Sequence, residues 1–148
     1  MFKKFFHVNI VVSNLERSIA FYEKLGFRVV DGPFEMDGTD IGTALGAGYA
    51  KMRAALMRLG NDPDSTLLDI LEFVEPVVSE GPYKSLTNLG IARICFKVDD
   101  ILQTYEDLKE MGVEFVSPPQ RKEHVTLFVF KDPDGTFLEI IDGVEVAA

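Results

Sequence analysis

The sequence of 148 residues contains one cysteine, two histidines and no long hydrophobic run. Because Cys95 is alone, no intrachain disulfide can form, which indicates a reducing compartment. No stretch approaches the roughly 18 apolar residues of a membrane span. The N-terminal Met-Phe-Lys-Lys-Phe-Phe run is not followed by the small-residue cleavage site of a signal peptide. We therefore expect a cytoplasmic protein without a membrane partner.

Basic residues are scarce as well, with 15 Lys and Arg against 24 Asp and Glu and a net charge of −9. Nucleic acids and anionic membranes both require clustered positive charge, so we expect neither as a partner. Hydrophobic residues make up 47% of the chain, which predicts a packed core in one domain over residues 1–148.

An internal repeat is the strongest feature of the sequence. Residues 12–27 and 98–113 align without a gap at an offset of 86, and both carry apolar residues at the spacing of an amphipathic helix. Each segment begins at a candidate N-cap and ends at a glycine suited to the C′ position: Ser13, Gly26, Asp99 and Gly112. Ser13 and Glu16 also fit a capping box. The pattern predicts one helix written twice.

A strand precedes each predicted helix, with its apolar face toward that helix. Alternation places His7 and Asn9 on the opposite face in the first half. In the second half, Arg93, Cys95 and Lys97 take that position. The ligand-binding side of each sheet is therefore expected to be the face away from the helices.

The repeat returns at the end of each half at an offset of 70, where 67–73 matches 137–143 and Asp69 aligns with Glu139. The smaller offset means that the first half has 16 extra residues, which we assign to a long glycine-rich loop at Gly32–Gly48. The remaining strands are predicted at 27–31, 51–59, 113–117 and 125–130. Glu72 is expected to face away from Asp69 by strand alternation.

The predicted fold class is α+β. Two tandem βαβββ modules, about 5–75 and 90–142, are expected to form a curved mixed-sheet cup with the helices outside. The ligand would lie in the cup.

Three segments in this order, 7–27, 90–101 and 132–141, resemble the vicinal oxygen chelate superfamily. This superfamily includes glyoxalase I, methylmalonyl-CoA epimerase, extradiol dioxygenases and the bleomycin resistance proteins. The resemblance implies a small-molecule ligand and a homodimer. Since one scaffold of this kind hosts many reactions, it does not imply a particular one.

The resemblance also implies four site positions, because the metal-dependent members hold a divalent ion between the first and last strands of each half. These positions are His7, Asp69, Arg93 and Glu139, and the internal repeat aligns the same residues in pairs. Arginine has no lone pair to offer a metal, so Arg93 departs from the family pattern. Asp69, which is shorter than Glu, is a milder departure.

Two interpretations of this centre remain. His7, Asp69 and Glu139 are chemically suitable ligands for one divalent ion such as Mn, Fe, Ni or Zn. Alternatively, the guanidinium of Arg93 replaces the ion between the two carboxylates. We favour the metal-free centre, because the positive charge is already in the sequence. An iron dioxygenase site would need a second histidine, and His124 is not at a ligand position.

The favoured function is an enzyme of the lyase or isomerase type, similar to glyoxalase I or the epimerase, that acts on a small carbonyl or vicinal-oxygen metabolite. Glu139 or Asp69 would be the base, and Arg93 or a metal would stabilise a developing enolate. Arg93, Arg53 and His124 are the candidate substrate-binding residues. The alternatives are a metal-free sequestration protein of the bleomycin-resistance type and a regulatory metabolite-binding domain. Cys95 is expected to be a small buried residue and not a nucleophile.

Overall fold

The computed structural model describes residues 1–77 and 80–147 and divides the chain into two compact units, Met1–Glu80 and Gly81–Ala148. Each unit has one four-stranded mixed sheet and a helix of ten residues that follows its first strand. The α+β class with two βαβββ modules is confirmed. Of the described helices, none has the length and apolar character needed to cross a bilayer.

The described residues of the first unit form four strands and two helices. In chain order they are β1 (His7–Val11), α1 (Leu15–Lys24), β2 (Phe27–Gly38), α2 (Thr39–Ala44), β3 (Ala50–Leu59) and β4 (Leu67–Glu75). The sheet order is β1-β4-β3-β2, with β1 parallel to β4 and the other pairs antiparallel. The first and last strands of the unit are therefore neighbours, which puts polar residues of β1 beside those of β4.

Helix α1 packs on one face of this sheet through its apolar stripe. Leu15 and Tyr22 are fully buried, and the Tyr22 ring meets Phe27 edge to face at 5.8 Å between centroids. The carboxylate of Glu72 in β4 accepts a 2.7 Å hydrogen bond from the backbone N–H of Leu15, at the positive end of the helix. Glu72 therefore lies on the helical face, and Asp69, an odd number of residues away, lies on the other face.

The helix starts differ from the prediction by one residue. Asn14, not Ser13, is the N-cap of α1, and its side chain accepts from the backbone of Arg17. The second-half helix is capped by Asp100 instead of Asp99. Each start offers two adjacent residues that could serve as caps, and the sequence pattern does not distinguish them. The predicted C′ glycines are confirmed, with φ of +101° at Gly26 and +74° at Gly112.

The capping box predicted for Ser13 and Glu16 is wrong. The Ser13 hydroxyl accepts from the side chain of Arg17. The Glu16 carboxylate pairs with Arg53 of β3.

The difference between the two candidate caps of the second-half helix can be tested directly. Asp100→Ala is expected to lower the free energy of unfolding by about 1 kcal/mol, because it removes the acceptor for two backbone N–H groups. These belong to Leu102 and Gln103, at 3.1 and 2.9 Å. Urea denaturation is the measurement. Asp99→Ala is the matched control, and an equal loss in both variants would contradict the assignment.

The glycine-rich segment Gly32–Gly48 is not a long loop, so that prediction is wrong. Strand β2 continues to Gly38, pairing Phe34 with Ala54 and Met36 with Met52, and the short helix α2 follows. The extra residues of the first half are thus a strand extension and a helix that closes back onto β3.

The second unit has strands β5 (Ile94–Lys97), β6 (Gln120–Lys122), β7 (Val125–Lys131) and β8 (Phe137–Asp142), with helix α3 (Ile101–Glu110) after β5. The sheet order is β5-β8-β7-β6, with β5 parallel to β8. The predicted strand at 113–117 is reduced to a single bridge between Phe115 and Phe130, and β6 takes the edge position.

An aromatic cluster fixes the helical face of the second sheet. The Tyr105 ring of α3 lies 4.6 Å from Phe115 and 5.4 Å from Phe128 between centroids. Phe128 pairs in register with Ile140 of β8. Since neighbours along a strand alternate, Glu139 faces away from α3.

Candidate functional site

The first unit holds a polar group on the face of its sheet opposite α1. It consists of His7 and Asn9 from β1 and Asp69 from β4, and Asn9 pairs in register with Asp69. The Asn9 amide donates to Asp69 Oδ2 at 3.0 Å, and His7 Nε2 lies 3.9 Å from the same oxygen. The side chains of His7 and Asp69 are 34% and 15% exposed, so both are sheltered but reachable.

His7 carries an unused ring nitrogen. Its Nδ1 is buried and has no hydrogen-bond partner within residues 1–77 and 80–147. The ring is held edge-on against Phe6, with 5.1 Å between centroids. A buried nitrogen without a partner costs free energy unless something else satisfies it. A bound ligand or ordered water would relieve that cost.

The second unit holds a charged pair on the corresponding face. Arg93, immediately before β5, donates through Nε to Oε2 of Glu139 in β8. The Glu139 side chain is 7% exposed, whereas that of Arg93 is 43% exposed. The two terminal nitrogens of Arg93 find no acceptor in the described part of the chain. The guanidinium can thus hold the carboxylate through Nε and offer its outer N–H groups to a ligand oxygen.

Cys95 lies directly beside Glu139 in the β5–β8 register. The residue is exposed, so the expectation of a buried cysteine is wrong. Partial burial nevertheless raises the pKa of the thiol to about 11, with a hydrogen bond and the negative charge of Glu139 adding to the shift. With this raised pKa the thiol stays protonated near neutral pH, which favours the prediction that it is not a nucleophile.

Alkylation kinetics would test the state of this thiol. At pH 8, iodoacetamide is expected to modify Cys95 roughly ten to a hundred times more slowly than an unperturbed cysteine, because little thiolate is present. Mass spectrometry would follow the reaction, with Cys95→Ser as the blank and glutathione as the reference thiol. Modification as fast as that of glutathione would contradict the raised pKa.

The distances between the candidate metal ligands can be compared with the bond lengths that one bound ion allows. Two ligands on one ion, each at about 2.1 Å, are at most about 4.2 Å apart, so His7 Nε2 and Asp69 Oδ2 could share one. The third predicted ligand, Glu139, is in the second unit and is paired with Arg93. Neither unit by itself brings three His, Cys, Asp or Glu side chains together in its described residues. A complete ligand set is therefore not present within either unit, and we derive no reaction step through a metal.

Arg53 was predicted to bind substrate, but the structure puts it on the helical face. It pairs with Glu16 of α1 and lies 3.8 Å from Glu35 and 3.9 Å from Glu72. The bond from Arg53 lowers the pKa of the Glu16 carboxyl. A strand position next to three carboxylates explains this placement, and Arg53 links α1 to the sheet instead of facing the polar group.

His124, the other predicted substrate-binding residue, is exposed in the turn between β6 and β7. The pairing of Thr126 with Asp142 puts this turn beyond the end of β8, whereas Arg93 precedes β5 at the opposite end of the sheet. Within the second unit, His124 and Arg93 are therefore not brought together.

An apolar cluster that the sequence pattern did not predict lies on the same face as Asp69. Its buried members are Ala50, Met52, Ala54 and Leu71, and its partly exposed members are Phe34, Met36, Ile41 and Phe73. The alternation of Phe34 and Met36 could have revealed it, but the surrounding glycines masked the strand signal. That His7, Asp69, Arg93 and Glu139 share one centre stays a prediction.

The family model described as Glyoxalase/Bleomycin resistance protein/Dioxygenase superfamily matches residues 4–140. An uncharacterized protein of Bacillus subtilis (strain 168), YurT, is 30% identical over 134 residues, which cover 90% of this chain and 94% of that protein. A lactoylglutathione lyase of Pseudomonas aeruginosa is 38% identical over 52 residues, only 35% of this chain and 29% of that enzyme.

Solved structures with a similar fold can also be named. A glyoxalase family protein from Bacillus cereus has a TM-score of 0.85 at 22% identity, covering 98% of this chain and 97% of that chain. The trypanothione-dependent glyoxalase I of Leishmania major has a TM-score of 0.67 at 21% identity, covering 95% and 87%. At these identities the likeness shows the fold and not the reaction.

Proposed function

Because the chain belongs to the glyoxalase/bleomycin resistance protein/dioxygenase superfamily, we propose that it is an enzyme of the lyase or isomerase type. Its substrate would be a small metabolite with a carbonyl group or vicinal oxygens. The observation that carries this proposal is the pair formed by Arg93 and the buried Glu139 on the face away from α3. A carboxylate base beside a cationic donor is the minimum needed to move a proton next to a carbonyl.

In the proposed mechanism, Glu139 accepts the proton from the carbon adjacent to the carbonyl. The C–H electron pair forms a carbon–carbon double bond, and the carbonyl oxygen becomes an enolate. The outer N–H groups of Arg93 would donate to that oxygen, where charge develops, while Nε holds the carboxylate in place. Glu139 then returns the proton to the same carbon, which gives exchange. Where that carbon carries a hydroxyl, return of the proton to the former carbonyl carbon, with the hydroxyl proton passing to the enolate oxygen, gives the isomeric hydroxy carbonyl compound.

We propose a metal-free centre, with Arg93 as the resident positive charge. Two chemical arguments support this. Arginine cannot be a metal ligand, and the Arg93 guanidinium already neutralises the Glu139 carboxylate that a bound ion would need. Elemental analysis of protein purified without chelators tests this. One equivalent of Mn, Fe, Ni or Zn that is lost in an Asp69→Asn variant would contradict it.

Deuterium exchange in D₂O tests the reaction without knowledge of the natural substrate. A panel of 2-hydroxy ketones, 2-oxo acids and acyl thioesters would be incubated with the protein and followed by proton NMR. We expect loss of the signal from the C–H next to the carbonyl in at least one class. Panel members that stabilise the protein in a thermal-shift assay but show no exchange would contradict an enzyme.

The second candidate function is sequestration of a small molecule without chemistry. The observation in its favour is the apolar cluster beside His7, Asn9 and Asp69, because a large apolar face can retain a ligand with no reacting group. Binding of apolar ligands without any exchange, in the same two assays, would favour this function.

We also propose that the protein is a cytoplasmic homodimer. The single cysteine supports the reducing location, and the family resemblance supports the pairing. Light scattering after size exclusion tests the dimer, and one 16.5 kDa mass at all concentrations would contradict it.

A further inference from the structure

Two arginines lie opposite each other on strands β2 and β3 of the first unit. Arg28 pairs in register with Arg58, between the pairs that Phe27 forms with Leu59 and Val29 forms with Met57. Like charges directly opposite each other on neighbouring strands destabilise a sheet. The stability of the sheet therefore does not explain why two arginines occupy this pair of positions.

Both arginine side chains reach the loop that joins β3 to β4. Arg58 Nη2 donates to the carbonyl oxygen of Pro63 at 3.1 Å, and Arg28 Nη2 makes a longer, weaker bond of 3.4 Å to that of Gly60. The two guanidinium groups thus converge on one short stretch of the chain. Because both acceptors are uncharged carbonyl groups, neither guanidinium is neutralised by its hydrogen bond.

The acidic residues near this arginine pair are bound to other groups or stand apart. In the loop, Asp62 Oδ1 accepts from the backbone N–H of Asp64, and Asp64 Oδ1 pairs with Lys4 at 3.1 Å. Asp31 of β2 forms no ion pair with either arginine. Within residues 1–77 and 80–147, in fact, neither arginine has a carboxylate partner. Two uncompensated positive charges therefore lie side by side in a chain whose net charge is −9.

The arginine pair also has unused hydrogen-bond donors. Arg58 Nε is buried and finds no acceptor in the described part of the chain. A buried N–H of a charged group costs free energy when it has no acceptor. Arg28 is exposed, and a Cβ added at Gly60, which Arg28 contacts, would meet nothing within 4 Å. A solute can therefore approach the two guanidinium groups from this side of the loop.

We propose that Arg28 and Arg58 form a binding site for a phosphate group. A phosphate dianion matches the charge of two guanidinium groups, and its oxygens can accept hydrogen bonds from both at once. The polar group around Asp69 belongs to β1 and β4, whereas the arginines belong to β2 and β3, so the two are carried by different strands. The inference concerns binding alone and does not depend on the proposed reaction.

Isothermal titration calorimetry with sodium phosphate, in a chloride buffer of constant ionic strength, tests the site. Sodium acetate is the comparison, because it is an oxyanion with a single charge. We expect acetate to bind at least roughly tenfold more weakly than phosphate, since one charge-assisted hydrogen-bond pair is lost. Equal affinity for acetate and phosphate, or no heat of binding with phosphate, would overturn the proposal.

Three variants locate the bound phosphate. Arg28→Gln and Arg58→Gln should each weaken phosphate binding about tenfold or more, the range for removing one charged donor. Arg121→Gln is the matched control, because Arg121 also donates to a backbone carbonyl, at 2.9 Å, but pairs in register with Thr126 and not with another arginine. It should bind phosphate like the wild type.

The exposed position of Arg28 keeps this test informative, because Arg28→Gln removes a repulsion and should fold as stably as the wild type in the absence of phosphate. Circular dichroism and urea denaturation would establish this. Folded Arg28→Gln and Arg121→Gln proteins with the same phosphate affinity would show that the anion does not bind at the arginine pair.

Methyl phosphate distinguishes the two sources of a phosphate group. Affinity equal to that of inorganic phosphate would assign the site to the phosphate group of a metabolite, and binding of inorganic phosphate alone would assign it to the free ion. Since these assays measure binding alone, a failed exchange reaction would refute the proposed enzyme and leave the phosphate site standing.

Discussion

The Glu139→Gln variant is expected to exchange substrate protons about 10³-fold more slowly than the wild type, the range that a positioned general base contributes. Glutamine keeps the shape of the side chain and can still accept from Arg93 Nε, but it cannot take a proton from carbon. The measurement is the initial rate of deuterium exchange for the substrate class identified in the panel.

The matched control is Glu114→Gln in the same unit. Glu114 is also paired with a cation, Lys131, but its side chain is 71% exposed. This control should retain the full exchange rate, because Glu114 is not part of the proposed Arg93–Glu139 centre. It should also fold, because an exposed ion pair of this kind contributes little to stability. Circular dichroism would establish that both variants fold. A Glu139→Gln protein with the wild-type rate would show that the base is elsewhere, and Asp69 would then be the next candidate.

Gly42→Ala is expected to destabilise the first unit by about 2 to 3 kcal/mol, the cost of forcing an extra group into a packed site. The added Cβ would lie 1.9 Å from the Gly48 carbonyl oxygen and 2.7 Å from the backbone nitrogen of Ala50. These are backbone atoms, so no side-chain rotation can relieve the overlap. Helix α2 must move off β3 or the turn at Gly48 must shift.

Urea denaturation measures this loss, and the Met36 methyl signal reports whether α2 has moved. Thr43→Ala is the control, since it changes the next, exposed residue of the same helix. It should stay within about 0.5 kcal/mol of the wild type. A Gly42→Ala protein as stable as the control, with an unmoved Met36 signal, would show that the helix is not seated as closely as described.

The repeat made the fold predictable because the same helix and strands are written twice. Periodicity gave the two long helices and most of the strands, but not α2 or β6. Strand alternation correctly separated Asp69 from Glu72, whose carboxylate bonds to Leu15 on the helical face. The prediction of a long loop over Gly32–Gly48 was wrong, because its glycine content was given more weight than the alternation of Phe34 and Met36. That alternation shows itself only when β3 is known to lie beside it.

The site was less predictable than the fold, for reasons that concern single residues. Arg53 is in a strand whose two faces both carry mixed residue types, and only the three surrounding carboxylates place it on the helical side. Whether His124 lies near Arg93 depended on the position of the β6–β7 turn, which the sequence does not show. The resemblance and the repeat predicted Arg93 between Asp69 and Glu139, and the structure pairs it with Glu139. The Cys95 thiol beside Glu139 needed the β5–β8 register.

Strand β4 has a further property that follows from its two acids. Asp69 must face the polar group and Glu72 must reach the N-terminus of α1, and the two are separated by an odd number of residues. A slip of one residue during pairing would exchange the two faces and bury Asp69 against the helix without a partner. The placement of the two carboxylates therefore penalises misaligned sheets as the chain folds, in addition to any part that either plays in the finished protein.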